Sequence, residues 1–379
     1  MDRGLPEEEV LGLIQEMRDK DFRYDRLFST MCTIPHPIAI RAHDIFVETN
    51  LGDPGLFPGV AEVEYRVVRM LGEMLGCPDA VGYVSTGGTE SNIQAIRSAR
   101  NASAIRDGNI VVPESAHFSF DKIGDLLRLE VRKARLDRNL KVDLGSVEEL
   151  VDDRTVAMVG IAGSTEFGQV DPLPGLAEIA LDRGCRLHVD AAFGGFVLPF
   201  LKADWRWDFR VEGVTTITVD PHKMGMSTIP AGGLLFRSLQ DMKTLETETH
   251  YLTVAKQASL TGTRSGAAAA ATYAVMMHMG MDGYRKLVGQ CMDLTRRLVA
   301  RAREIGVEPV IEPVLNVVAL KVDDPAGVRA ALMERDWHVS TTRSPRALRM
   351  IIMPHITAEN IDLLIRDLDQ VLRSAGAGA

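Results

Sequence analysis

Residues 218–224 read TVDPHKM, and they place a lysine just beyond a predicted strand at 214–219. Asp220, His222 and Lys223 make the end of this strand polar. If the strand belongs to a parallel sheet, Lys223 lies at the carboxyl edge, where open α/β sheets bind ligands. Taken alone, such a lysine is usually a solvated surface residue. Its interpretation therefore depends on the strands beside it.

The strand predicted at 186–190 ends in the segment RLHVDAAFGG, residues 186–195. Asp190 closes this strand, and the small residues after it let a flat group approach the backbone. Asp190 could instead cap a helix. With His188 on the same strand face it could also supply half of a metal site, but no third ligand is close in sequence. We therefore predict no metal site here.

The third segment, residues 83–92, reads YVSTGGTESN and passes from a predicted strand through two glycines into a helix. Free backbone N–H groups, the helix dipole and the hydroxyl groups together favour an anion, most often phosphate. A plain helix cap is the alternative. The segment matches neither G-x-G-x-x-G nor the Walker pattern, which counts against nicotinamide dinucleotides and nucleoside triphosphates. A phosphate loop, a strand-end aspartate and a strand-end lysine are the groups that pyridoxal phosphate requires.

Short apolar runs alternate with amphipathic helical patterns between residues 60 and 240, which is typical of a parallel sheet covered on both faces. We expect an α/β fold with a mostly parallel seven-stranded sheet in a large domain, 60–285, and a small α+β domain, 286–379. Residues 1–59 are predicted as an N-terminal helix at 5–20 and an active-site segment, with 35–59 mainly ordered loop. The predicted strands of the large domain are 80–85, 109–113, 131–135, 155–162, 186–190, 214–219 and 232–237.

The composition argues against several partners. Lys+Arg total 43 and Asp+Glu 52, for a net charge of −9, and no basic run is long enough to bind nucleic acid or an anionic membrane. The four cysteines are scattered, which suits a reducing compartment and predicts a cytoplasmic location. No stretch reaches the roughly 18 uncharged apolar residues of a membrane span.

Together, STGGTESN, HVDAAFGG and DPHK resemble the group II pyridoxal-phosphate-dependent amino-acid decarboxylases, which have the aspartate-aminotransferase fold (fold type I). NLGDPGLFPG, GSTEFGQVDPL, DPHKMG, GTRSG and LRMIIMPH are most similar to the archaeal L-tyrosine/L-aspartate decarboxylase family. The resemblance covers residues 10–372. It implies decarboxylation of L-tyrosine to tyramine, of L-aspartate to β-alanine, or both, in methanofuran or coenzyme A synthesis, with pyridoxal 5'-phosphate as cofactor.

The resemblance also implies roles for individual residues of the large domain. Lys223 corresponds to the lysine that forms the Schiff base, and Asp190 to the partner of the ring nitrogen. His117 corresponds to the histidine that stacks on the ring, opposite Ala192. The other implied cofactor contacts are Gly87, Gly88 and Thr89 with His222 at the phosphate, and Thr165 near the ring oxygen.

A homodimer with shared active sites is implied as well, in which Thr263 of GTRSG reaches the neighbour's cofactor phosphate. Arg349 corresponds to the small-domain arginine that binds a substrate carboxylate, and a surface arginine is its alternative. Tyr251 lies where relatives keep a mobile catalytic loop, although the segment is short here. The proton donor to the carbanion is Tyr251, His117 or Lys223.

Two alternatives keep the same cofactor residues. One is another fold-type I enzyme, such as a carbon–carbon lyase of the sphingosine-phosphate lyase type or a cysteine desulfurase. The desulfurase would need a cysteine in a late mobile loop, and none is found. The other is a relative without turnover. Among substrates, tyrosine, aspartate and glutamate stay open, because a few unseen contacts decide between them.

Overall fold

A seven-stranded sheet forms the centre of the computed structural model, which describes residues 3–105, 107–202 and 205–376. Each strand lies within one residue of its prediction. The inner strands are short apolar runs buried on both faces, which leave little ambiguity. The strands are β1 (Val81–Ser85), β2 (Asn109–Pro113), β3 (Glu130–Ala134), β4 (Thr155–Ile161), β5 (Arg186–Asp190), β6 (Val214–Val219) and β7 (Gly232–Phe236).

The strand order is β1-β7-β6-β5-β4-β2-β3. Strand β7 runs opposite to the other six strands, so β1, β5 and β6 all point the same way. Their carboxyl ends therefore meet at one edge of the sheet. This confirms the predicted mostly parallel α/β fold and brings together the three segments singled out in the sequence.

Helices cover both faces of the sheet. The helix that follows β1 begins at Gly88, the second glycine of the pair, so its N-terminus lies at the carboxyl edge. The helices of this region are α1 (Glu7–Arg18), α2 (Pro37–Ile45), α3 (Pro58–Met74), α4 (Gly88–Ala102), α5 (Ser119–Leu127), α6 (Leu144–Leu150), α7 (Leu173–Arg183) and α8 (Leu239–Lys243).

The prediction that residues 35–59 are mainly loop was wrong for α2. His36 caps this helix, its Nδ1 accepting from the Ile38 N–H at 3.2 Å, and Pro37 occupies the first turn. Ala39 is fully buried against Ala271 and Val275 of the long helix that begins at Gly266. A nine-residue helix has little stability of its own, so this packing decides its formation, and the local sequence does not show it.

The long helix α9 (Gly266–Glu304) spans 39 residues and is kinked at Gly280, where φ is 55° and ψ is −175°. The sequence patterns at 265–280 and at about 282–305 predict two separate helices, and the kink lies at their junction. The N-terminal half of α9 packs against α2 and α3, and its C-terminal half packs in the hydrophobic core of the C-terminal unit.

The C-terminal unit has an antiparallel sheet of order β10-β12-β11, formed by β10 (Val317–Leu320), β11 (Ser340–Thr341) and β12 (Leu348–Ile351). Helices α10 (Pro325–Met333) and α11 (Ala358–Gly376) pack on it. The sequence at 307–311 also favours a strand, but this prediction is wrong: among the described residues only an isolated bridge forms there, between Pro309 and Leu320. The two remaining strands, β8 (Thr247–Glu248) and β9 (Lys256–Gln257), form a hairpin outside both sheets.

Phe28, from the N-terminal segment, is fully buried in the core of this C-terminal unit. Its N–H donates to the His338 carbonyl at 2.9 Å, and its carbonyl accepts from the Ile351 N–H at 2.7 Å. The predicted domain limits at 59 and 285 stay a prediction. Among the described helices, none is both long and apolar enough to cross a membrane.

Candidate active site

A cavity of about 320 Å³ opens at the carboxyl ends of β1, β5 and β6. Its wall contains nine residues that the sequence analysis selected, while Tyr251, Thr263 and Arg349 do not line it. The nine are Gly87, Gly88, Thr89, His117, Thr165, Asp190, Ala192, His222 and Lys223.

Lys223 extends into this cavity from the turn after β6. Its ammonium Nζ lies 3.1 Å from Asp220 Oδ2, and the Asp220 side chain is buried. His222 Nδ1 accepts from the Ala231 N–H at 3.1 Å, which ties the turn to the start of β7. The DPHK motif in the sequence predicts no role for Asp220. The spacing of three residues between an aspartate and a lysine in one turn was the available signal.

The glycine pair leaves the space that an anion needs at the N-terminus of α4. Gly87 has φ of 140°, and a Cβ there would meet His222 Cε1 at 3.0 Å. A Cβ on Gly88 would lie 3.1 Å from Asp220 Oδ2. Glu90 fixes the loop, because its Oε2 accepts from both the N–H and the hydroxyl of Thr86 at 2.8 Å. The N–H groups in the first turn of α4 have no helical acceptor and can bind an anion.

Asp190 is only 7% exposed, and each of its oxygens has a protein donor. Oδ2 accepts from Asn92 Nδ2 at 2.9 Å, and Oδ1 accepts from the Ala192 N–H at 3.0 Å. Both ring nitrogens of His188 are hydrogen-bonded, to Thr216 and to Asn92. No group of three or more metal-ligand side chains occurs in the part of the chain that the structure describes.

His117 faces the same cavity. Its Nδ1 accepts from the Ser119 N–H at 3.2 Å, so the proton of the neutral ring is on Nε2. Burial lowers the pKa of His117 below its usual 6.5, although the charge of Asp190 partly opposes this. The ring is therefore neutral at pH 7. The Phe118 ring lies 4.0 Å from the His117 ring and is 54% exposed beside the cavity.

The polar groups of this cavity fit pyridoxal phosphate. Two buried polar atoms of its wall, Ser115 Oγ and Asp220 Oδ1, have no hydrogen-bond partner among the described residues. The cavity offers an amine, a carboxylate and an anion-binding helix terminus. The amine can bond to the aldehyde of the cofactor, the carboxylate can pair with its basic ring nitrogen, and the helix terminus can bind its phosphate.

Arg349 lies behind the cavity wall and is 7% exposed. Its Nε donates to the Thr165 carbonyl at 2.7 Å and its Nη1 to Ser340 Oγ at 3.0 Å. Burial lowers the pKa of Arg349 to about 10, while Glu166 acts in the opposite direction. The guanidinium is charged at pH 7 and contacts the site through Thr165.

Tyr251 and Thr263 are both exposed, Tyr251 at 88%. The loop that carries Tyr251 is tied to the 50–59 segment, since the Thr253 N–H donates to Asp53 Oδ1 at 3.0 Å and Thr253 Oγ1 accepts from the Gly55 N–H at 2.9 Å. The structure therefore leaves the predicted roles of these two residues as predictions.

The fold and the cavity define a pyridoxal-phosphate enzyme of fold type I. Residues 47–322 match the family described as the pyridoxal-dependent decarboxylase conserved domain. A protein of Methanothrix thermoacetophila named probable L-tyrosine/L-aspartate decarboxylase is 70% identical over 377 residues, covering 100% of this chain and 98% of that protein. A probable L-aspartate decarboxylase of Archaeoglobus fulgidus is 49% identical, covering 96% and 100%. The chain belongs to the pyridoxal-dependent decarboxylase family and is an enzyme, a carboxy-lyase.

Solved structures agree on the fold. A sphingosine-1-phosphate lyase from Burkholderia pseudomallei superposes with a TM-score of 0.91 at 27% identity, over 98% of this chain and 92% of the lyase. A glutamate decarboxylase from Lactobacillus brevis superposes at 0.90 with 22% identity, over 99% and 94%. Because the decarboxylase relatives are much more similar in sequence, the decarboxylase interpretation is favoured over the carbon–carbon lyase alternative.

Proposed function

We propose that the chain removes the α-carboxylate of L-tyrosine, L-aspartate or both as CO₂, and that the products are tyramine and β-alanine. The observation that carries this proposal is that Lys223, Asp190 and the Gly87–Gly88 loop line one cavity. The names of the similar archaeal proteins supply the two substrates.

Lys223 is the group that would hold the cofactor through its aldehyde carbon, and Gly87, Gly88, Thr89 and His222 would hold its phosphate. When bound, pyridoxal phosphate supplies an electron sink for the electron pair left on the substrate's α-carbon. Asp190 would pair with the ring nitrogen and keep a positive charge on it. Opposite charges about 4 Å apart at an effective dielectric near 20 attract by roughly 4 kcal/mol, which corresponds to about three pKa units.

His117 would stack on one face of the cofactor ring, and Thr165 would lie near the ring oxygen. His117 is a flat, neutral ring on the wall of the cavity, and it lies close enough to Asp190 for the aspartate charge to raise its pKa in part. A neutral imidazole can stack on an aromatic ring without adding a second positive charge beside the ring nitrogen. Ala192 has a side chain small enough to leave the opposite face free.

Arg349 is proposed to bind a carboxylate of the substrate. The hydrogen bonds of its buried guanidinium go to neutral oxygens of Thr165, Ser340 and Ser29, and in the described residues no carboxylate accepts from it. A buried cation without a bonded anion favours an anionic ligand. Either the α-carboxylate or the side-chain carboxylate of aspartate meets that requirement.

Tyr251 is proposed as the acid that returns a proton to the α-carbon, delivered by movement of its exposed loop. The competing donors are His117, whose Nε2 carries a proton, and Lys223. Replacing Tyr251 by Phe removes only the hydroxyl group, so amine formation should slow without loss of cofactor binding. Amine formation at the wild-type rate would assign the proton to His117 or Lys223.

A homodimer with shared sites is also proposed. Helix α1 buries none of its residues and exposes five apolar side chains, which supports a partner for this helix: Val10, Leu11, Leu13, Ile14 and Met17. Thr263 is exposed and outside its own cavity, as expected of a residue that acts on the neighbour.

Subunit mixing tests the shared site. Lys223→Ala and Thr263→Asp proteins are each expected to be inactive. If the site is shared, a heterodimer of the two has one intact site, and random mixing recovers about a quarter of wild-type activity. No recovery, with heterodimers present by mass, would contradict the sharing.

We also propose a cytoplasmic location. All four cysteines are free thiols, which suits a reducing compartment. Fractionation of cells with an antibody to the chain tests this, and recovery with the membrane fraction after a high-salt wash would contradict it.

The first experiment measures CO₂ release from L-tyrosine, L-aspartate and L-glutamate by the purified protein with pyridoxal phosphate. We expect release from tyrosine or aspartate that disappears in Lys223→Ala. Absence of release from all three, with the cofactor visibly bound, would overturn the proposed function.

A further inference from the structure

A row of three buried polar side chains begins at Asn92, which contacts Asp190 at the cavity wall, and runs from there into the protein interior. Asn92 and His188 are each 1% exposed and Thr216 is 4% exposed. Asn92 Nδ2 lies 2.9 Å from Asp190 Oδ2, Asn92 Oδ1 lies 3.0 Å from His188 Nε2, and His188 Nδ1 lies 2.9 Å from Thr216 Oγ1. Three elements supply this row, namely α4, β5 and β6.

The direction of every hydrogen bond in the row follows from the carboxylate. An ionised Asp190 can only accept, so the amide nitrogen of Asn92 must face it and the amide oxygen must face His188. His188 therefore donates from Nε2–H and accepts at Nδ1 from the Thr216 hydroxyl. Thr218 Oγ1 is 3.5 Å from the same Nε2, too far to compete. The ring is thus fixed in one neutral tautomer.

The row carries no charge of its own. Burial lowers the pKa of His188 to about 4, even though nearby Asp190 favours the charged form. At pH 7, His188 is a neutral donor. Asn92 Nδ2 also lies 3.1 Å from Ser119 Oγ, so both of its amide hydrogens have acceptors.

We propose that Asn92 is a positioning residue for the decarboxylase reaction, and that His188 and Thr216 orient its amide. With one donor on each oxygen, from Asn92 and from the Ala192 N–H, the Asp190 carboxylate cannot rotate. Its remaining lone pairs are available to the cofactor's ring nitrogen. Without the amide, a carboxylate that is 7% exposed loses a donor that water cannot replace.

This inference rests on the proposed role of Asp190, but not on the substrate. Its test therefore begins with cofactor-free protein. Nitrogen-15 NMR of the histidine rings should find His188 neutral and protonated on Nε2 at pH 7. A ring protonated on Nδ1 alone would have to accept at Nε2; that would reverse the amide of Asn92, take the donor from Asp190 and overturn the proposal.

The second step measures pyridoxal phosphate binding by fluorescence in Asn92→Leu. We expect the dissociation constant to rise about tenfold and kcat to fall by a larger factor, with KM for the amino acid little changed. The matched control is Asn109→Leu. Asn109 is equally buried at the amino end of β2, where it contacts Asp152 and Thr155, so its loss should lower stability and leave cofactor binding unchanged.

The conservative change at His188 separates positioning from packing. Gln carries an N–H close to the place of Nε2–H, so His188→Gln should retain most of the cofactor affinity that His188→Leu loses. Equal affinities for Gln and Leu, or an Asn92→Leu protein that binds cofactor and turns over like Asn109→Leu, would overturn the proposal. Failure of tyrosine and aspartate as substrates would leave these binding results unaffected and would count against the proposed function alone.

Discussion

Asp190 is one of the charged side chains on the wall of the cavity. It is nearly buried, and the protein supplies a donor to each of its oxygens. Burying a carboxylate in this way costs desolvation energy, and only the attraction of a nearby cation offsets that cost in full. Under the proposed role of Asp190, that cation would be the protonated ring nitrogen of the cofactor.

Replacing Asp190 by Ala should therefore affect chemistry more than binding. Losing roughly 4 kcal/mol of charge interaction corresponds to about a thousandfold loss of kcat, because the electron sink works only with a protonated ring. The phosphate loop is untouched, so cofactor affinity should fall much less. Turnover and cofactor titration measure the two effects. Asp208→Ala, which removes a buried aspartate outside the cavity, is the control, and equal losses of kcat and affinity in Asp190→Ala would contradict the prediction.

The sequence was sufficient to select residues whose chemistry is local to a motif, such as Lys223 and Asp190. It could not supply partners from distant segments. Asn92 meets Asp190 across 98 positions of the chain, and Arg349 meets Thr165 across 184. Asn92 was quoted within its motif, but only the fold brings its amide to the carboxylate.

At the scale of elements, the start of α4 depends on a backbone conformation that favours glycine. Gly87→Ala should raise the dissociation constant of pyridoxal phosphate at least tenfold, because φ of 140° is strained for Ala and the new Cβ meets His222. Gly184→Ala is the matched control: its φ of 65° is also positive, but nothing lies within 4 Å of the added atom. It should lose stability and keep its affinity. The same affinity in both variants would contradict the prediction.

Helix α9 offers a pair of glycines with opposite expected effects. Gly289→Ala lies within regular helix with nothing within 4 Å, so it should raise the free energy of unfolding by about 0.5–1 kcal/mol. Gly280→Ala forces φ of 55° and ψ of −175° on Ala, so it should lower the free energy of unfolding by about 1–3 kcal/mol. Urea unfolding measures both. If both substitutions changed the free energy of unfolding in the same direction, the kink at residue 280 would not require glycine.

Strands were easier to predict than helices for a physical reason. The inner strands of the central sheet are identified by runs of apolar residues, since both of their faces are buried, whereas the edge strand β3 is mostly polar. A short helix such as α2 is stable only because Ala39 finds Ala271 and Val275, and its own nine residues do not show this.

For the whole molecule, acid should weaken the fold. Burial is the largest cause that lowers the pKa of five histidines: His36, His117, His188, His222 and His355. A lowered pKa means that folding favours the neutral ring, so the stabilisation is complete above pH 6.5 and is lost as the pH falls. Asp171 acts in the opposite direction, because burial raises its pKa to about 6, but it is one group against five.

The expected size can be stated for His188. With a pKa of about 4 in the folded chain, it alone should cost about 2 kcal/mol between pH 7 and pH 5. Urea unfolding of cofactor-free protein at both pH values measures the total, and His188→Gln should show a smaller difference. A wild-type midpoint that does not change with pH would contradict the prediction.

The place of Phe28 in the C-terminal core has a consequence for biosynthesis. The Ser29 carbonyl accepts from Arg349, which the ribosome adds 320 residues later. At roughly 5–20 residues per second, the early segment waits on the order of tens of seconds for its partners, with its aromatic ring exposed to chaperones. The corner that holds Arg349 is therefore among the last parts of the nascent protein to assemble, and a chain interrupted before that point lacks it.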